Sequence, residues 1–188
     1  MRIELVKLLD ETRFQGQPRG TRHFGRVCAA LSGTAPGETV FLDFRGVDVL
    51  TGSWISAMLV QLLRWGGSPE VELFFVVCNL DDPELLDELR YVAGNAHVAF
   101  LVASGKLPPK SASLVGHLNP GQSETLDAVL TLGEATGAAL EREHPETKAT
   151  AWNNRLRDLY ERKRLLKRQK QGREQIYRPL VPEILIDG

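Results

Sequence analysis

The chain has 188 residues, 43% of them hydrophobic and 25% charged, with a formal net charge of −1. That balance can fill a folded core and argues against global disorder. No apolar run reaches eighteen residues, so no membrane span is expected.

In chain order, IELVKLL over 2–8 reads as a short strand, and RFQGQPRG after it as a turn-rich or hairpin segment. Thr21 is placed to cap a helix whose apolar positions are Phe24, Val27, Cys28 and Leu31, ending at Gly33. Thr39–Phe44 is a β-branched and aromatic run of strand length. The next helix carries Ile55, Met58, Leu59, Leu62 and Leu63 on one face and stops at Gly66-Gly67. Glu72–Cys78 is a nearly unbroken apolar strand, the kind buried on both faces. Asp82 caps the following helix, with Pro83 in its first turn and a stripe of Leu85, Leu86, Leu89 and Val92 ending at Gly94. His97–Ala103 is a further strand. Strands alternating with helices imply an α/β sheet.

The segment 105–122, rich in Pro, Gly and Ser, reads as a linker with one short hairpin through Ser113–Leu118. Ser123 then starts a helix with Leu126, Val129 and Leu130 inward, ending near Gly133. Thr136 caps a short helix through Leu140, broken at His144-Pro145. A third helix begins near Thr147, places Trp152, Leu156 and Leu159 on its core face, and runs to about Arg164. A hairpin with its turn at Gln171-Gly172 follows. The expected division is 1–104, a linker 105–122, 123–180 and a tail 181–188.

Charge is divided unevenly along this order. Between Thr147 and Arg178 eleven Lys/Arg stand against three acids, a surplus of eight positives; the remaining residues carry a surplus of nine negatives. A basic module beside an acidic body points to a polyanion partner.

The segment TLDAVLTLGEATGAAL…TAWNNRLRDLYERKRLLKRQKQGREQIYRPL, within Glu124–Leu180, resembles the winged helix-turn-helix domain (α+β) of prokaryotic transcriptional regulators. The resemblance makes Leu156 and Leu159 core leucines of a recognition helix, Leu165 and Leu166 the start of the wing, Gly172 its tip, and Ile176-Tyr177 its return strand. Lys163-Arg164 stand where the family usually has a glycine after the recognition helix. On such a helix the outward positions are Lys148, Thr150, Ala151, Asn153, Asn154 and Arg157. Asn bonds adenine in a bidentate way, and Thr or Ala methyls suit the thymine methyl. Arg155 and Arg157 suit phosphates, and Lys167, Arg168, Lys170 and Arg173 on the wing suit the DNA backbone or minor groove.

VFLDFRGVDVLTGSWISAMLVQLL with ELFFVVCNLDDPELLDELRYVAG, within Thr21–Ser104, is similar to STAS-like domains, relatives of bacterial anti-sigma-factor antagonists. The matching pieces are Asp43-Phe44, Gly46, Val47 and Gly52-Ser53. In that family a Ser in this loop is phosphorylated by an ATPase-type kinase, and Ser53 falls at about that position. Thr51 stands where the motif has an acid, and Trp54 where it has Gly. The simpler reading is that a hydroxyl of Ser53 or Thr51 caps the next helix, which explains the residues without any chemistry.

No catalytic constellation stands out, and an enzyme is not expected. The four histidines, His23, His97, His117 and His144, lack metal-ligand spacing, so neither metal nor cofactor is expected. Asp43 is expected to bond locally to Arg45. Cys28 and Cys78 are too few for a disulfide framework and read as reduced core residues. The N-terminal MRIELVKLLDETR lacks a signal-peptide layout, so a cytoplasmic protein is expected.

The expected function is a DNA-binding regulator, with duplex DNA as partner of the second module. The first module would sense, dimerise (giving a homodimer) or dock a protein partner. Two alternatives stand beside it: a protein-interaction switch working with a kinase, and an RNA-binding module.

Overall fold

The computed structural model describes residues 1–186. Its elements begin with β1 (Arg2–Glu4), α1 (Leu5–Leu9), β2 (Arg13–Phe14), α2 (Gln17–Ala30), β3 (Thr39–Asp43), β4 (Val49–Leu50), α3 (Gly52–Ala57) and α4 (Leu59–Gly66). They continue with β5 (Phe74–Cys78), α5 (Pro83–Ala96), β6 (Ala99–Ala103) and β7 (Ser111–Gly116). The rest are α6 (Pro120–Leu132), α7 (Gly137–Glu143), α8 (Ala149–Glu161), β8 (Leu166–Gln171), β9 (Glu174–Pro179) and β10 (Glu183–Ile186). The fold is mixed α/β around a mostly parallel sheet of order β1-β3-β5-β6-β7-β10. Only β7 runs antiparallel to its neighbour β6, and β10 then lies parallel to β7.

The sheet has two covered faces, and β5 shows why its sequence is apolar at every position. Phe75 and Val77 point into a core with Leu9, Val27, Leu31, Ile55, Leu59 and Leu89, from α1 to α5. Phe74, Val76 and Cys78 point the other way, into a core with Leu126, Val129, Leu140, Trp152, Leu156 and Leu159, from α6 to α8. Period-2 alternation sends successive residues to opposite faces, so a strand buried on both needs no polar position. Each such large side chain contributes roughly 1.5–3 kcal/mol on burial. The C-terminal helices and the β8–β9 hairpin therefore cover the sheet face that α1–α5 leave open.

Several boundaries differ from the sequence expectation. The stretch 2–8 divides: β1 takes three residues, and Leu5 and Leu9, four apart and both buried, turn α1 inward. Helix α2 starts at Gln17, with Pro18 in its first turn after Gly16 at φ +81°, so Thr21 lies inside it. There the Thr21 hydroxyl donates to the Gln17 carbonyl (3.2 Å) instead of capping. Met58 (φ −114°, ψ −68°) divides the expected single helix into α3 and α4. Helix α6 starts at Pro120, because Asn119 and Gln122 form a reciprocal capping box three residues ahead of Ser123. Helix α8 begins after Lys148 and ends at Glu161, short of Arg164. The hairpin turns at Gly172-Arg173, one residue later than expected.

The segment 105–122 holds β7, paired with β6 from Ala99↔Gly116 to Val102↔Ser113. The segment 181–188 holds β10, paired with β7 from Glu183↔Ser111 to Ile186↔Leu114. Asp187 and Gly188 lie outside the described residues. Asp82 and Thr136 cap as expected: the Asp82 side chain accepts from the Glu84 and Leu85 amides, and Thr136 Oγ1 accepts from the Ala139 amide (3.1 Å).

Candidate nucleic-acid interface

Helix α8 is amphipathic along its length. Trp152, Leu156 and Leu159 are fully buried against α6, α7 and the sheet. Thr150, Asn153, Asn154 and Arg157 are exposed on the opposite side, with Ala151 and Arg155 half-buried at its margins. Helix α7 crosses α8 so closely that a Cβ on Gly137 would collide with the Asn153 side chain and the Ala149 carbonyl. A glycine at the first position of α7 is what allows that approach.

The hairpin stands beside this exposed side. A cleft of about 360 Å³ opens between α7, α8 and the hairpin, and Asn153, Asn154, Arg157, Arg168 and Arg173 all border it. Arg157 Nη2 donates to Asn154 Oδ1 (3.1 Å). Arg168 stacks its guanidinium over the Tyr160 ring at 4.3 Å and lies 3.8 Å from Glu161. Lys170 and Arg173 are exposed near the hairpin tip. Gln175 and Tyr177 also border the cleft; the sequence marks Tyr177 only as part of the wing's return strand and does not mark Gln175. The signal that finds them is cross-strand register: Gln175 faces Lys170, and Tyr177 faces Arg168.

The other expected contacts are placed elsewhere. Arg155 pairs with Glu124 (2.7 Å), its guanidinium over Trp152 at 5.0 Å, and borders a neighbouring hollow of about 530 Å³. Lys148 is exposed at the start of α8, 3.5 Å from Glu141. Lys167 turns toward the sheet, half-buried, with Nζ 5.7 Å from the Phe74 ring. Burial lowers its pKa, which Glu38 partly restores.

The positive surplus is thus not one continuous face. Lys163 donates to the His97 carbonyl (3.2 Å) and the His117 carbonyl (2.8 Å). Arg164 is buried and bonds the Gly66 and Leu73 carbonyls, with its guanidinium 4.1 Å from the Phe74 ring. Arg178 pairs with Glu134 (2.5 Å). These cations fix elements to one another, while Arg157, Arg168, Lys170 and Arg173 gather around the cleft and the hairpin tip.

Ser53 is exposed at the start of α3, its Oγ 3.2 Å from Thr51 Oγ1. Neither hydroxyl caps the helix, contrary to the capping alternative. Thr51 Oγ1 accepts from the Gly16 amide (3.2 Å), and the Gly52 amide donates to Glu88 Oε2 (2.7 Å). A carboxylate from α5 thus satisfies the first amide of α3.

Asp43 does bond locally, accepting from the Arg45 amide at 3.0 Å, and it also accepts from Asn79 Nδ2 (2.9 Å) and Arg2 Nε (2.9 Å). Burial alone raises its pKa; the Asn79 amide, the Arg45 N–H and the Arg2 guanidinium outweigh that and hold it below the ordinary carboxylate value. Burial pushes the Cys28 thiol up to about 11 and the Cys78 thiol up to about 12. Among the described residues no group of three or more His, Cys, Asp or Glu is placed to hold a metal ion. Among them no helix is long and apolar enough to cross a membrane. Comparison with protein-family models, with curated proteins and with solved structures gave no match.

Proposed function

We propose that the chain is a DNA-binding transcriptional regulator in which α6, α7, α8 and the β8–β9 hairpin act as a winged helix on a STAS-like α/β platform. The observation that carries this reading is the open cleft where Asn153, Asn154 and Arg157 of α8 meet Arg168 and Arg173 of the hairpin. A helix of this width fits the major groove, and amides near its N-terminal half suit base edges. Arg168, Lys170 and Arg173 suit the flanking phosphates. Two further features support it. The backbone bridge between Ala135 and Tyr177 ties the start of α7 to the wing, and the core face of α8 is anchored by Trp152, Leu156 and Leu159.

On this reading the STAS-like layer docks, senses or dimerises, and a homodimer would read half-sites about 10 bp apart or a multiple. Selection of bound fragments from random duplex DNA, with structured RNA as competitor, tests it. Enrichment of a duplex motif that RNA fails to displace is the expected outcome. Recovery without any enriched motif, or preferential retention of RNA, overturns it.

A further inference from the structure

A second cleft, of about 420 Å³, lies where the hairpin meets the sheet, between the β8–β9 strands and the residues leading into β3 and β5. Its size is within the range of small-molecule pockets. Phe74, Ile176 and Leu180 give it an apolar wall, and Lys167 and Arg168 border it with cationic groups. The acid beside them, Glu72, is engaged, its Oε1 accepting from the Tyr160 hydroxyl at 2.6 Å. The ion pairs among the described residues occupy Arg168 and Arg178, whereas Lys167 has the Phe74 ring beside it and the Glu38 carboxylate acting on it only from beyond ion-pair distance. Burying part of an ammonium without a hydrogen-bonded counter-ion is costly, and a bound anion would relieve that cost.

We propose that this cleft binds a small arylalkyl carboxylate, the carboxylate meeting Lys167 and Arg168 and the aromatic body lying along the apolar wall, and that its occupancy changes nucleic-acid binding through Arg168. The second half rests on the function proposed above. Arg168 is its physical basis, because that one side chain borders both this cleft and the cleft beside α8. A carboxylate that draws the guanidinium away from Tyr160 and Glu161 changes what Arg168 offers to a phosphate on the other side.

Calorimetric titration of the full chain with phenylacetate, phenylacetamide and acetate tests the site without any DNA present. Phenylacetate is expected to bind saturably, the neutral amide and the ring-less acetate each at least tenfold more weakly. Lys167→Met and Arg168→Gln, each checked for an unchanged circular dichroism spectrum, should weaken phenylacetate at least tenfold and leave the amide unaffected. Amide shifts in the NMR spectrum should centre on Phe74, Ile176 and Leu180. No saturable phenylacetate binding, equal binding of acid and amide, or shifts centred elsewhere overturns the site. In a second arm, saturating phenylacetate should change the duplex dissociation constant at least threefold. Binding of phenylacetate with an unchanged duplex constant overturns the coupling. Binding of phenylacetate by a chain that binds no duplex overturns the DNA reading and leaves the anion site standing.

Discussion

Arg164 donates a hydrogen bond to the backbone carbonyl of Gly66 at 3.2 Å, joining positions 98 residues apart. The same guanidinium donates to the Leu73 carbonyl (3.1 Å) and back to the Tyr160 carbonyl (3.3 Å). Arg164 holds φ at +58°, the left-handed region in which a side chain costs roughly 1–2 kcal/mol and glycine costs little. The position after α8 thus keeps a glycine's conformation but not a glycine. Its side chain reaches across to the end of α4, and Lys163 beside it bonds the His97 and His117 carbonyls. Together they fasten the helix–hairpin unit to the sheet.

Replacing Arg164 with Ala removes charge-assisted bonds worth about 1.5–3 kcal/mol each before compensation by water. A net loss of about 3 kcal/mol in urea unfolding is expected. Arg164→Gly should recover about 1 kcal/mol of that by relieving the strained backbone. Equal stability of the Ala variant and the parent would remove Arg164 from this role.

A chain ending at Ser104 leaves Phe74, Val76 and Leu101 without the cover that α6–α8 provide. Such an exposed apolar face favours association. The truncated chain should bind a hydrophobic dye strongly and elute as aggregates, whereas the full chain should unfold in one cooperative transition. A soluble, monomeric, dye-negative fragment would show that the sheet face needs no cover.

Within the proposed interface the side chains should divide by role. Arg168→Ala and Arg173→Ala should weaken binding to all duplexes and each reduce the salt slope by about 1. Asn153→Ala and Asn154→Ala should instead cost about 1–3 kcal/mol on the preferred motif alone and relax base choice. Lys167→Ala, turned toward Phe74, should leave the salt slope unchanged in the absence of small anions. Comparable effects from the Asn and Arg variants on specific and random duplexes would contradict this division.

Acid should destabilise the fold in two steps. His23 is almost fully buried, and its Nδ1 accepts from Trp54 Nε1 at 3.1 Å. Burial lowers its pKa below the ordinary 6.5, despite Glu11 at 3.6 Å from Nε2. The unfolded chain therefore takes up that proton first, and stability falls as pH drops below about 6.5. Asp43 is held below its ordinary value, so its stabilisation is present above about pH 4 and is lost as pH falls through the folded value. Urea midpoints followed by tryptophan fluorescence from pH 8 to pH 3 should show both limbs. His23→Asn should flatten the upper limb and Asp43→Asn the lower. An unchanged upper limb in the His23 variant would assign that titration to another group.

Much of the layer structure is legible because periodicity reports burial directly. The apolar run of β5, the Asp82 cap of α5 and the Trp152–Leu156–Leu159 stripe of α8 all sit where the side-chain pattern puts them. Local chemistry with two solutions is read less well. Leu5 and Leu9 satisfy a helix as readily as a strand, and Asn119 competes with Ser123 as a cap. Long-range pairing is not legible at all. Nothing local in Glu183–Ile186 shows that it lies beside β7, and nothing in Lys167 separates a DNA contact from a half-buried stem against Phe74. The Asn and Arg side chains of the cleft, Asn153, Asn154, Arg157, Arg168 and Arg173, follow from outward positions on α8 and the hairpin, whereas Gln175 and Tyr177 follow only from the register of the hairpin.

The most direct test of the proposed DNA reading is a salt titration of duplex binding by the full chain, followed by fluorescence anisotropy between 50 and 200 mM salt, a range in which phosphate contacts weaken measurably. With Arg157, Arg168, Lys170 and Arg173 on phosphates, binding should be present at the low end and fall with a log–log slope of about −4. Absence of binding at low salt, or a slope near zero, would contradict it.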